Sequence, residues 1–93
     1  MQKHTKIYMK HFGYAEQDFI KCEVEGCYKK AVDIHHIEAR QMGGTSIDKN
    51  NIENLCAICR EHHNKAGADI EFNKKVKRDH LKWLEIFATF GKT

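Results

Sequence analysis

Two short clusters of soft ligand side chains constrain this chain more than any other feature. The first is Cys22-Glu23-Val24-Glu25-Gly26-Cys27, a knuckle in which two thiols flank a turn that Gly26 makes easy. The second is Cys56-Ala57-Ile58-Cys59-Arg60-Glu61-His62. Zinc takes four Cys or His ligands in a tetrahedron, often as two close pairs from separate elements. Cys22 and Cys27 supply one pair. The other has two registers, Cys56 with Cys59 or Cys59 with His62, and each leaves two residues between ligands. Spacing alone leaves both open. Either register pins two distant parts of the chain to one point. A 93-residue chain buries a core of marginal size, so a structural zinc would be a useful staple.

Four cysteines would also suit two disulfides in a secreted protein. However, residues 1–10 are polar and basic, without the apolar core of a signal peptide. No segment approaches the length of a membrane span. The expectation is a soluble cytoplasmic protein with reduced thiols and no membrane partner. A formal charge of +3, from 16 basic and 13 acidic residues, permits nucleic-acid binding without demanding it.

Periodicity and turn signals outline a small α+β chain, read as a single domain over residues 1–93. A short helix is expected before Gly13, with that glycine ending it. Its aromatics, and those up to residue 20, are expected to pack on the domain. Residues 31–37 read as a strand carrying Asp33, His35 and His36. Strand alternation puts Asp33 and His35 on one face and His36 on the other, so a shared site calls for a bend or bulge. Residues 43–46 and 48–51 read as loop and turn. A short helix over about 58–66 is expected to carry His62 and His63, with Gly67 ending it. Over about 70–90, Phe72, Val76, His80, Trp83, Phe87 and Phe90 recur at steps of three or four, the mark of a C-terminal helix with one apolar stripe. His80 reads as a satisfied core or boundary imidazole. Lys74, Lys75, Lys77 and Arg78 read as a solvated face rather than a phosphate grip.

Four of the seven histidines form two adjacent pairs, His35-His36 and His62-His63. Imidazole is the commonest metal ligand and the side chain that titrates near neutral pH. With the Cys22–Cys27 knuckle, Asp33-Ile34-His35-His36-Ile37, Arg40, Gly43-Gly44, Asn54-Leu55 and Cys59 to His63, the chain resembles the His-Asn-His (HNH) endonuclease family. The resemblance covers residues 22–66 and implies a ββα-metal fold, a β-hairpin and a helix clasping a metal. Zinc-bearing members show Asn-Leu, three residues, then Cys-x-x-Cys-His, the last histidine binding the catalytic metal. Laid on Asn54-Leu55, that pattern implies Cys22, Cys27, Cys59 and His62 as zinc ligands, with Cys56 spare and a histidine in place of the usual fourth cysteine.

The resemblance also implies His36 as general base, His35 and His63 as ligands of a catalytic divalent ion, and Asn54 as the residue that pins the loop and orients the base. Arg40 would contact the scissile phosphate. Where some members carry a further ligand this chain has Gly67, so water, substrate or Asp33 would complete the metal shell. The ion could be Mg, Mn, Ni or Zn. DNA is the implied partner, and the oligomeric state stays open. The chemistry is coherent in its own right. Phosphodiester hydrolysis needs an activated nucleophile, charge neutralisation and help for the leaving group, which an imidazole and one cation can supply. Two other readings are a zinc-stabilised DNA-binding module without catalysis and a protein-interaction domain using the Trp83 stripe. The intact His36, Asn54 and His63 set favours the enzyme.

Overall fold

Leu55-Cys56-Ala57-Ile58 is buried at every position. Sequence reading does not mark it as a strand, yet it is β2 (Leu55–Ile58), paired antiparallel with β1 (Asp33–His36) in a two-stranded sheet. The computed structural model describes residues 2–38 and 49–91; Arg40, Gly43-Gly44 and residue 48 lie outside them. Around the sheet stand α1 (Lys3–Phe12), α2 (Arg60–Ala68) and α3 (Ile70–Ile86), with a 3-10 turn at Ile52–Asn54 and a π turn at Phe87–Gly91. The chain is a small α+β structure in which two strands lead into a helix.

The alternation of β2 explains its unbroken burial. Cys56 and Ile58 join a core with Cys22, Val24, Ile37, Cys59, Ala66 and Val76. Leu55 and Ala57 join a second core with Tyr8, Phe12 and Ile34. Successive side chains of a strand point to opposite faces, so a strand covered on both reads as a continuous apolar run.

Helix α1 buries His4, Tyr8 and Phe12 at four-residue steps. Gly13, at φ 75°, ends it in the left-handed conformation, and Tyr14 N–H donates to Met9 O at 2.8 Å. The expected aromatic packing holds for Tyr8, Phe12 and Tyr14, whereas Phe19 is exposed. Gly67 does not end α2 as expected; it lies inside that helix. The stop comes at Asp69, whose extended backbone breaks the helix while its carboxylate accepts from Glu71 N–H and Phe72 N–H to start α3. The apolar stripe of α3 packs as expected through Phe87. Phe90 is 77% exposed, because the π turn shifts the register after Ile86. Among the described residues no helix is long and apolar enough to cross a membrane, and the four cysteines are free thiols.

His80 does more than fill space. It is fully buried, with Nδ1 donating to Glu23 Oε1 at 2.5 Å and Nε2 donating to Ile52 O at 2.6 Å. Both partners are acceptors, so the ring is an imidazolium neutralised by Glu23. The Tyr8 hydroxyl and Ala57 N–H also donate to Glu23 Oε2. One carboxylate thereby ties α1, the cysteine knuckle, β2 and α3. Removing one member of such a buried pair strands the other, so His80→Ala should cost about 3–5 kcal/mol in urea unfolding. Burial pushes the His80 pKa down, but the hydrogen bond and charge of Glu23 and the Ile52 carbonyl outweigh it, so the value is raised. The ion pair's contribution is therefore complete below the usual imidazole value of about 6.5 and is lost as pH rises through the raised value. Urea midpoints should fall over that window in the wild type and lose this part of their pH dependence in His80→Gln. Equal pH dependence in both would argue against a charged His80.

Candidate metal centre and histidine cleft

The knuckle forms because Gly26, at φ 83°, takes a turn that an L side chain resists, and Cys27 N–H donates back to Val24 O at 3.0 Å. Lys21 Nζ donates to Cys27 O at 2.9 Å and holds the turn from outside. Opposite, Cys59 leaves the end of β2 as the residue preceding α2, and His62 lies in the first turn of that helix. One ligand atom from each of Cys22, Cys27, Cys59 and His62 lies within 4.8 Å of the others. His62 Nδ1 is 3.3 Å from Cys59 Sγ and 3.6 Å from Cys22 Sγ. This largely buried group could hold a metal ion.

Of the two registers that spacing permits, the fold brings Cys59 and His62 to the knuckle. Cys56, three residues before Cys59 on a strand, points to a different partner set, Glu23 and His80. Burial pushes the Cys22 thiol up to about 11. At Cys27 burial also raises the value, but hydrogen bonds from the Lys29 backbone and the neighbouring thiols leave it lowered. A cation here would bind thiolates and release their protons.

The β1–β2 ladder is unbroken, with His35 opposite Cys56 and His36 opposite Leu55, so the expected bulge is absent. The two histidines diverge as strand alternation requires. His35 Nε2 lies 2.9 Å from Asn73 Oδ1, and its ring centre is 5.0 Å from that of His63. His36 Nε2 lies 2.8 Å from Asn50 Oδ1, and its ring packs 4.5 Å from that of the buried His4. Both still border one cleft of about 430 Å³ at the end of β1, opposite Gly67, Asn73, Lys74 and Lys77. The ladder has no bulge, but the chain bends at Ile37 and Glu38, directly after the strand ends at His36, and the cleft lies there.

His63 Nδ1 is 3.3 Å from Asp33 Oδ2. Asp33, His35 and His63 thus meet in succession, Asp33 with His63 and His63 with His35. Among the described residues they are not one of the groups whose ligand atoms all lie within 4.8 Å of one another. Burial lowers the pKa of His35, which favours the neutral ring that ligates metals.

Asn54 closes the segment that leaves the cleft. Glu38 N–H donates to its Oδ1 at 2.7 Å, while its Nδ2 donates to Glu38 O at 3.0 Å and Lys49 O at 2.9 Å. One amide therefore bridges the two flanks of residues 39–48, the interval that contains Arg40. Four further residues around these sites escaped sequence reasoning: His4, Glu23, Asn50 and Asn73. Only Asn73 carried a local signal, a poor helix former in the middle of a helical pattern. No family model, curated protein or solved structure matches this chain. The residues and their geometry therefore carry the functional reading.

Proposed function

We propose that this protein is a metal-dependent endonuclease that hydrolyses DNA phosphodiester bonds on an HNH-type ββα-metal scaffold. The observation that supports it most is the meeting of His35 and His36 at one cleft, with His63 against His35 and Asn54 bridging the adjoining segment. Three sulfurs and one imidazole suit zinc, so the Cys22, Cys27, Cys59 and His62 group is assigned to a structural zinc. His35 and His63 are assigned to a second, catalytic divalent ion, which would supply charge neutralisation at the phosphate.

His36 is the general base that takes a proton from water, with Asn50 Oδ1 2.8 Å from its Nε2. Asn54 holds the backbone at Glu38 and so fixes the wall of the cleft beside His36. Asp33 is seated to orient His63 by accepting from its Nδ1, the support that ligating imidazoles usually need. Arg40 retains its proposed phosphate contact. The test is nicking of plasmid DNA by the zinc-loaded protein with an added divalent metal and its abolition by chelator.

One observation favours a second reading, a zinc-stabilised DNA-binding module without catalysis: Asp33, His35 and His63 pair successively rather than converge on one point. Salt-dependent DNA binding without cleavage by any metal is the outcome that would select it.

Gly67 offers a gain-of-function check. It lies four residues after His63, one turn along α2, on the cleft, and a Cβ there meets nothing within 4 Å. Gly67→His should add a ligand and tighten Ni²⁺ binding about tenfold, a change of about 1.4 kcal/mol. Calorimetric titration measures it; unchanged affinity would show that the cation does not sit beside this turn of α2.

A further inference from the structure

We infer that Asn73 is a positioning residue that holds His35 in the tautomer protonated at Nε2, leaving Nδ1 as its ligand nitrogen. The inference rests on the reading of His35 as a metal ligand and adds to it a residue from α3. The hydrogen bonds leave one arrangement. Asn73 Nδ2 donates to Ile37 O at 2.7 Å, and a backbone carbonyl only accepts, so the amide cannot be turned over. Its Oδ1 must then face His35 Nε2, which lies 2.9 Å away. That oxygen also only accepts, so Nε2 carries the hydrogen. A neutral imidazole has one N–H, which leaves the lone pair on Nδ1. In the other tautomer two lone pairs would oppose each other at this contact.

The same side chain reads two parts of one short segment, the ring of His35 and the carbonyl of Ile37 just beyond β1. It therefore sets the ring's angle as well as its tautomer. Both hydrogen bonds are part-buried, where a lost bond is poorly replaced by water. Asp33 stands to His63 in a comparable way, with its Oδ2 at 3.3 Å from Nδ1. Each proposed ligand thus has an acceptor on the nitrogen not used for metal, the arrangement that orients ligating histidines generally. Helix α3, whose stripe reads as core, also supplies a working wall of the site.

Two-bond ¹H–¹⁵N spectra of the zinc-loaded protein, with no second metal added, report the tautomer of each histidine directly. The wild type should show His35 protonated at Nε2. Asn73→Leu, which keeps size but removes both polar atoms, should give a mixture of tautomers. It should also weaken Ni²⁺ binding about 10–100-fold while zinc content stays at the wild-type level. Asn73→Asp keeps an acceptor toward His35 and should restore the Nε2–H form, which a purely structural role would not do. His35 protonated at Nδ1 in the wild type, or an unchanged tautomer in Asn73→Leu, would overturn the inference. Should Asn73→Leu fail to fold, the wild-type spectrum and Asn73→Asp still decide. A tautomer that responds as expected in a protein that never cleaves DNA would sink the endonuclease and leave the positioning role standing.

Discussion

Cys59→Ser should leave the protein without its metal and largely without its fold. Cys59 belongs to the metal group and also to the core that packs Cys22, Val24, Ile58 and Val76. Metal binding at structural zinc sites has an apparent worth of about 10–16 kcal/mol in small domains. Whole domains are stable by only about 5–15 kcal/mol, so loss of the ion is comparable with the entire stability of a domain this size. Elemental analysis of wild-type protein purified without added metal should find one zinc per chain, and circular dichroism of Cys59→Ser should show a collapsed helical signal. Cys56→Ala is the control. Its thiol is fully buried, but it faces Glu23 and His80 rather than the knuckle, so the change should cost only about 1 kcal/mol and keep the zinc. A folded, metal-free Cys59→Ser, or a Cys56→Ala that loses metal, would reverse the assignment.

His36→Ala should slow cleavage by roughly two to four powers of ten, the usual worth of a positioned general base. His36 is half-buried, contacts Asn50 and the His4 ring, and belongs to neither the metal group nor the apolar stripe of α3. Fold and zinc content should therefore survive. DNA affinity should also persist, because phosphate attraction comes from basic side chains and cations. His63→Ala should behave differently. It removes the partner of Asp33 and the neighbour of His35, so the metal concentration needed for half-maximal rate should rise along with the loss of rate. Equal metal requirements in the two variants would leave His63 without its assigned role.

Much of the metal group was legible because ligand chemistry leaves a signature in spacing. Cys22, Cys27, Cys59 and His62 meet as the resemblance implied, and the histidine rather than Cys56 completes the group. The C-terminal stripe was legible as far as Phe87 because a regular helix keeps its period. It failed at Phe90, where the chain leaves α geometry. Strand β2 was missed because a four-residue apolar run carries no period of its own; its identity comes from two cores closing on it. Gly67 misled because glycine tolerates a helix interior at about 1 kcal/mol, and the stop came from the capping chemistry of Asp69 two residues later. Glu23 and Asn50 were invisible because their roles depend on partners 14 or more residues away in sequence. No local pattern encodes such a contact.

The central claim is that the histidine cleft hydrolyses DNA with a divalent cation. Its most direct measurement is nicking of supercoiled plasmid by zinc-loaded wild type and His36→Ala, side by side, with Mg²⁺, Mn²⁺, Ni²⁺ and added Zn²⁺ in turn. The expected result is wild-type nicking with at least one of these ions, abolished by chelation and reduced at least about a hundredfold in His36→Ala. Wild-type protein that binds the plasmid but leaves it intact with every ion, or a His36→Ala variant that nicks at the wild-type rate, would contradict it.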